Sequence, residues 1–329
     1  MDGNGLGRGI LRQPLKKLGP FLALAAVFLG FTLYNPNMAS LVVLEKLGQQ
    51  TVIVGIAALG MTLIIISGGI DLSAGSLIAL TSVVMAQAIA LWQLPPAVAA
   101  LLGIAVGLLC GWLNGFLITR LKLVPFIVTL GTLLIYRGAA KALSHSTQIK
   151  VPPTFLSDLL ASLPEGRSWQ LLPPGAWIML ILAALAAHFL ANTPWGRHVV
   201  AVGSNEATAR LCGINVNRIK ILVYTLGGFF TGLAGLMQLS YQEQGDPIGA
   251  EGYELDIIAA VVIGGGSLNG GEGSMLGTLL GAALMTVIRF GCQLNGFPPY
   301  VTQISTGAII VLAVAVDQLR RRRLKLQNS

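Results

Sequence analysis

Charge is scarce along this chain. Asp, Glu, Lys and Arg make up only 10% of its 329 residues, whereas 54% are hydrophobic, and the mean hydropathy is +0.76. A water-soluble domain of this length needs a more charged surface, so the composition excludes one and fits a chain whose outside faces lipid. Strict polar–apolar alternation is also missing. Apolar blocks such as 101–109 and 308–316 are continuous, which excludes a transmembrane barrel and leaves helices as the spanning structure. Cys110, Cys212 and Cys292 lie far apart with no CxxC spacing, which excludes a disulfide framework and a thiolate metal site. His145, His188 and His198 stand alone. There is no GxSxG, no HExxH and no GxxxxGK[ST] motif. No catalytic or metal-binding residue is therefore expected here, nor any cofactor bound by this chain. If ATP drives the protein, another chain binds it.

What is present is a succession of apolar stretches. About 20 apolar residues cross the ~30 Å hydrocarbon core as a helix. The pattern predicts an all-α integral membrane protein of about ten transmembrane helices, over 18–34, 48–67, 72–91, 97–119, 124–143, 175–191, 219–240, 254–265, 274–291 and 300–317. Gln49, Gln50 and Thr51 mark an interfacial start for the second. The first stretch follows a basic segment without a small-x-small cleavage site, so it reads as an uncleaved span rather than a signal peptide.

Basic residues cluster between the apolar runs: Arg8, Arg12, Lys16 and Lys17; Arg120 and Lys122; Arg197, Arg210, Arg218 and Lys220; and 320–323 with Lys325. This is the positive-inside pattern, not a nucleic-acid surface. It predicts that both termini are cytoplasmic. Residues 1–17 form a basic N-terminus, 18–318 a single transmembrane domain and 319–329 a basic tail. Within that domain 193–218 is cytoplasmic. The 144–174 loop, with Asp158, Glu165 and Arg167, is external, as are Glu243, Asp246 and Glu251.

Two glycine-rich breaks interrupt the apolar runs, at 67–76 and 264–274, each after a β-branched run and before a Leu/Ala-rich helix. They suggest an internal repeat. Either they are broken helices inside the bundle, as in many transporters, or they are tight turns at the membrane surface. Asp71, in the first, either caps the third helix through backbone N–H groups or touches a solute. Gly103, Gly107 and Gly111, then Gly227, Gly228, Gly232 and Gly235, and Gly277 with Gly281 form small-xxx-small faces for close helix packing. In the polar 192–220 segment, Ser204 or Asn205 can cap a helix of about two turns that Gly213 ends. Such a short capped helix suits docking in a partner's groove.

Four stretches carry a resemblance to a known family: Gly69-Ile-Asp-Leu-Ser-Ala-Gly-Ser; Pro125-Phe-Ile-Val-Thr-Leu-Gly-Thr; Gly196-Arg with Ala201-Val-Gly-Ser-Asn-Glu-Ala-Thr-Ala-Arg-Leu-Cys-Gly-Ile-Asn; and Gly252-Tyr-Glu-Leu-Asp-Ile-Ile-Ala-Ala-Val-Val-Ile-Gly-Gly. Together they span most of 40–320 in order. The chain resembles the permease subunits of bacterial ATP-binding-cassette (ABC) sugar importers, those for ribose in particular. The resemblance implies a ten-helix permease in the bacterial inner membrane, working with a second permease copy. It also implies a cytoplasmic ATP-binding subunit that holds ATP and Mg, and a periplasmic sugar-binding protein. The family's coupling element falls on about 202–215, with Asn205, Glu206, Ala207, Arg210 and Gly213 as coupling residues. Gly213 stands one residue farther from Glu206 than in the general permease signature, and Thr208 replaces its second Ala. Ala74 and Ser204 stand where relatives often have Val and Gly.

In the scheme this implies, the soluble receptor supplies specificity, so few polar side chains are needed in the passage. Candidates along it are Asp71, Ser73, Asn114, Thr129 and Asn269. An ion- or proton-coupled carrier of a small polar solute is the second reading. A membrane-embedded enzyme is the third, without an acid–base or metal cluster to support it.

Overall fold

The computed structural model describes residues 12–161 and 172–327, and in them the chain is a helical bundle. Glu165 and Arg167 of the expected external loop lie outside the described residues. Helix α1 (Arg12–Tyr34) is followed by a 3-10 turn (Pro36–Ala39) and by α2 (Leu41–Ile66), α3 (Ala74–Ala90), α4 (Pro96–Arg120) and α5 (Pro125–Leu143). After a loop come α6 (Pro174–Asn192), two short helices α7 (Pro194–Ser204) and α8 (Glu206–Leu211), and then α9 (Val216–Gln242). Helices α10 (Tyr253–Ile263), α11 (Met275–Leu294) and α12 (Pro299–Gln327) complete the chain.

Burial sorts these helices into layers. Helix α2 is apolar on every face, and 89% of its most apolar window is buried, against 28% for α4, α5 and α6. An all-round apolar helix belongs at the centre of a bundle. There α2 packs on α6, α9, α10 and α11. Helix α3 joins it at the centre, with every residue from Ala74 to Ile89 buried. The mostly exposed faces of α4 to α6 carry Leu101, Leu109, Leu134, Ile181 and Leu185, the composition that suits lipid.

Among the described residues, six helices are long and apolar enough to cross a membrane: α2, α4, α5, α6, α9 and α11. Helix α3, α1 from Gly19 and α12 as far as Ala315 are shorter apolar helices. Helix α10, at 11 residues, is only a half-length element.

The second helix departs from its expected start. Ser40 caps it by accepting from Val43 N–H at 3.4 Å, so Gln49 lies inside the helix rather than at its start. The side chain of Gln49 is 3% exposed and donates to the Leu160 carbonyl at 2.8 Å. That bond lets an amide sit in the bundle, because a buried donor needs a partner. The loop it ties down is further held by Ser240, which accepts from Leu160 N–H at 3.0 Å. An antiparallel strand pair, β1 (Ile149–Lys150) with β2 (Gln244–Gly245), fastens the same loop to the segment after α9.

Glycine sets the most extensive helix contact, α4 on α9. A Cβ at Gly107 would lie 2.9 Å from the Gly232 Cα, and one at Gly111 would lie 2.8 Å from the Gly228 Cα. The two backbones touch, as in small-xxx-small pairs in lipid. Gly111→Leu should therefore cost at least about 1–3 kcal/mol through overpacking. Thermal denaturation in detergent measures it, with Gly131→Leu, on an open face of α5 with no atom within 4 Å of its Cβ, expected to leave the midpoint unchanged or higher.

Candidate functional site

Between α6 and α9, residues 193–215 hold two helices, not the single one expected from the sequence. Thr193 accepts from Gly196 N–H at 3.0 Å and Pro194 occupies the first turn, so α7 begins directly after α6. Thr followed by Pro is a helix-start signal that could have been read. Asn205 ends α7 and starts α8: its Oδ1 accepts from Thr208 N–H at 2.9 Å. Gly213, at φ +80°, follows the end of α8 in the left-handed region that favours glycine.

The two faces of α8 differ. On one, Glu206 accepts from Arg210 and from Lys220 of α9, both at 2.6 Å. Burial pushes its carboxyl upward, but the hydrogen bonds from Lys220 and Arg210, reinforced by their charges, outweigh that and hold it below its ordinary value of 4.5. Glu206 thus braces α8 against α9. A small basic cavity of about 300 Å³ beside it is lined by Lys122, Arg210 and Lys220. Away from that brace Ala207 is exposed and Leu211 is 89% exposed, with exposed Cys212 just past the helix end. Leu211 was not among the expected coupling residues. Its signal was one large apolar side chain in an otherwise polar two-turn helix.

The end of α7 touches both glycine-rich breaks. A Cβ at Gly203 would collide with the carbonyl of Ile66, the last residue of α2, and lie 2.7 Å from Gly271 N. Gly271 N–H donates to the Ile66 carbonyl at 2.8 Å, so the two breaks are hydrogen-bonded to each other where α7 meets them.

The first break runs into the protein interior. Asp71, 2% exposed, accepts from Ser73 N–H at 2.8 Å and from Ser73 Oγ at 2.5 Å, just before the first turn of α3. Asn114 of α4 donates to Ser73 Oγ at 3.0 Å. The Tyr136 hydroxyl of α5 lies 3.1 Å from Asn114 Oδ1. The Ile70 carbonyl accepts from Tyr224 OH of α9 at 3.0 Å and from Thr129 Oγ1 of α5 at 3.3 Å.

Of the expected passage residues, Asp71, Ser73, Asn114 and Thr129 therefore gather around one break. Asn269 is exposed, on the other break. Tyr136 and Tyr224 were missed, although a tyrosine in an apolar run needs a partner for its hydroxyl. Among the described residues no three His, Cys, Asp or Glu side chains gather to hold a metal.

Comparison with known proteins adds to this geometry. Residues 43–314 match the family described as branched-chain amino acid transport system / permease component. The chain is 38% identical over 287 residues to the ribose import permease protein RbsC of Escherichia coli (strain K12), covering 87% of this chain and 89% of the relative. It is 37% identical over 305 residues to RbsC of Bacillus subtilis (strain 168), covering 92% and 93%. Against the fructose import permease protein FrcC of Rhizobium meliloti it is 38% identical over 280 residues, covering 83% and 77%. No solved structure matches the chain.

Two outcomes test the local geometry. Asp71→Ala strips the acceptor from two buried donors and should cost about 1–3 kcal/mol, whereas Asp71→Asn keeps an acceptor and should cost less, both read from thermal midpoints in detergent. For Glu206 the lowered carboxyl value fixes the sign: its contribution is complete above pH 4.5 and is lost as pH falls through the folded-state value. With its side chain 40% exposed, that contribution is about 0.2–1 kcal/mol. The stability difference between wild type and Glu206→Gln should close in that acid range.

Proposed function

The chain belongs to the family of sugar ABC permeases, and from that premise we propose that it forms, with a second permease copy, the passage by which ribose or a similar monosaccharide enters a bacterium. A periplasmic binding protein delivers the sugar at the end opposite α7 and α8. A cytoplasmic subunit binds ATP and Mg and hydrolyses the ATP; this chain supplies no catalytic group. The protein sits in the inner membrane with ten crossings. Helix α10 makes the eighth as a half-length element, with Glu243, Asp246 and Glu251 before it on the outer side, and both termini face the cytoplasm. The supporting charge pattern is that Lys122 lines the same cavity as Arg210 and Lys220, so these basic residues share one end of the bundle.

The observation that carries the reading is the seat of α7. The ATP-binding subunit docks on the outward face of α8, with Leu211 as the apolar contact and Ala207 beside it. When the two ATP-binding subunits close, α8 moves with them. Asn205 and the Glu206–Lys220 brace carry that movement to α7 and α9, and Gly203 passes it to both breaks. Rearrangement around Asp71, Ser73, Asn114 and Thr129 then opens or shuts the inner half of the passage. Each state is favoured by the partner that contacts it better.

The complex with its ATP-binding subunit tests this. Leu211→Glu should weaken copurification about tenfold, a loss of about 1.4 kcal/mol, and Glu206→Gln should reduce receptor-stimulated ATP hydrolysis while docking is retained. Unchanged stimulation in both variants would overturn the coupling assignment. Uphill sugar uptake by this chain alone in vesicles would instead establish an ion-coupled carrier.

A further inference from the structure

A second polar site lies outside the network around Asp71. A cleft of about 630 Å³ opens between the start of α10, the end of α11 and the start of α12, within the roughly 300–1,000 Å³ usual for small-molecule sites. Glu251, Glu254, Arg289, Gln293, Thr302 and Gln303 line it. Glu251 is exposed at the cleft, Glu254 and Arg289 are half-buried and Asp256 behind them is buried; ionisable groups set into an apolar bundle are functional candidates by default. Arg289 is ion-paired with the buried Asp256, and its guanidinium lies 4.7 Å from the centre of the Tyr253 ring. Arg289 Nε and Glu254 Oε2 make no hydrogen bond among the described residues.

One wall residue of the cleft packs near the first site. A Cβ at Gly75 would collide with Glu254 Oε2 and lie 2.7 Å from the Ala250 carbonyl. The Glu254 carboxyl therefore lies against the first turn of α3, two residues beyond Ser73.

The geometry points to this cleft as a binding station for a neutral polyhydroxylated monosaccharide, with Glu254 accepting from its hydroxyls and Arg289 and the two glutamines donating to them. The assignment rests on the importer reading. Carboxyl acceptors set beside guanidinium and amide donors match a row of hydroxyls, each of which both donates and accepts. Neutrality follows from the charges. Arg289 is already balanced by Asp256, and Arg137, held by the Pro247 and Gly249 carbonyls, faces Glu251 and Glu254, so among the described residues no unpaired cation is left in the cleft to attract a phosphate or carboxylate.

The test uses the assembled importer in proteoliposomes, with D-ribose and D-fructose as probes. In a Thr302→Cys variant, ~10 mM of one of these sugars should slow thiol modification at position 302, followed by mass spectrometry, at least threefold. Adding Glu254→Gln should abolish that protection. D-ribose 5-phosphate should give none. Absence of protection by both neutral sugars, protection that survives Glu254→Gln, or equal protection by the phosphate each overturns the proposal. Protection without ATP-driven uptake would support the cleft and overturn the importer reading instead. Should the double variant fail to assemble, the Thr302→Cys protection alone decides.

Discussion

A helix interrupted inside a bundle frees peptide groups that water cannot reach, and each must find a partner. The stretch between α2 and α3 meets that constraint with side chains from three other helices. The Ile70 carbonyl accepts from Tyr224 of α9 and Thr129 of α5, while Asp71 and Asn114 hold Ser73. The Ile66 carbonyl is met by a peptide N–H of the second break. Much of the interior follows from these bonds. They hold α2 and α3 as the buried centre and draw α4, α5 and α9 around them, with the second break at their base.

Close glycine packing has the complementary effect. Along α4 and α9 the backbones touch through Gly107, Gly111, Gly228 and Gly232, which leaves no side chain between them to adjust. The polar break beside it is joined by hydrogen bonds that can exchange partners, since hydroxyls and amides both donate and accept. Close-packed glycine walls beside an adjustable polar seam are the kind of construction that the proposed switching between two arrangements requires. The short α10, set by its first turn against Gly75, belongs to the seam rather than to the walls.

Much of this architecture is legible in the sequence, for physical reasons that differ from place to place. Apolar runs bounded by Pro95, Pro125 and Pro174 mark helices because lipid demands length and proline fixes starts. Asn205 and Gly213 mark α8 because caps have narrow chemical requirements. Helix α7 was missed because its polar surface resembles a loop, although Thr193 and Pro194 announce it. The early start of α2 was obscured because Gln49 looks interfacial until the Leu160 carbonyl that satisfies it is seen, 111 residues away. Of the polar passage candidates, Asp71, Ser73, Asn114 and Thr129 converge while Asn269 does not. Convergence depends on which helices pack together, and no local pattern encodes that. The cleft at Glu254 and Arg289 was hidden for the same reason: its walls come from three separate helices.

The contact at Gly203 has a mechanical corollary. Where two backbones meet with no side chain between them, the joint has no play. A displacement of α7 smaller than an atomic diameter must be taken up at once by the peptide planes it abuts, whereas a cushion of leucines would absorb it by changing rotamer. In the proposed coupling, that joint would act like a gear train without backlash, a stroke at the surface and its answer in the interior sharing one amplitude.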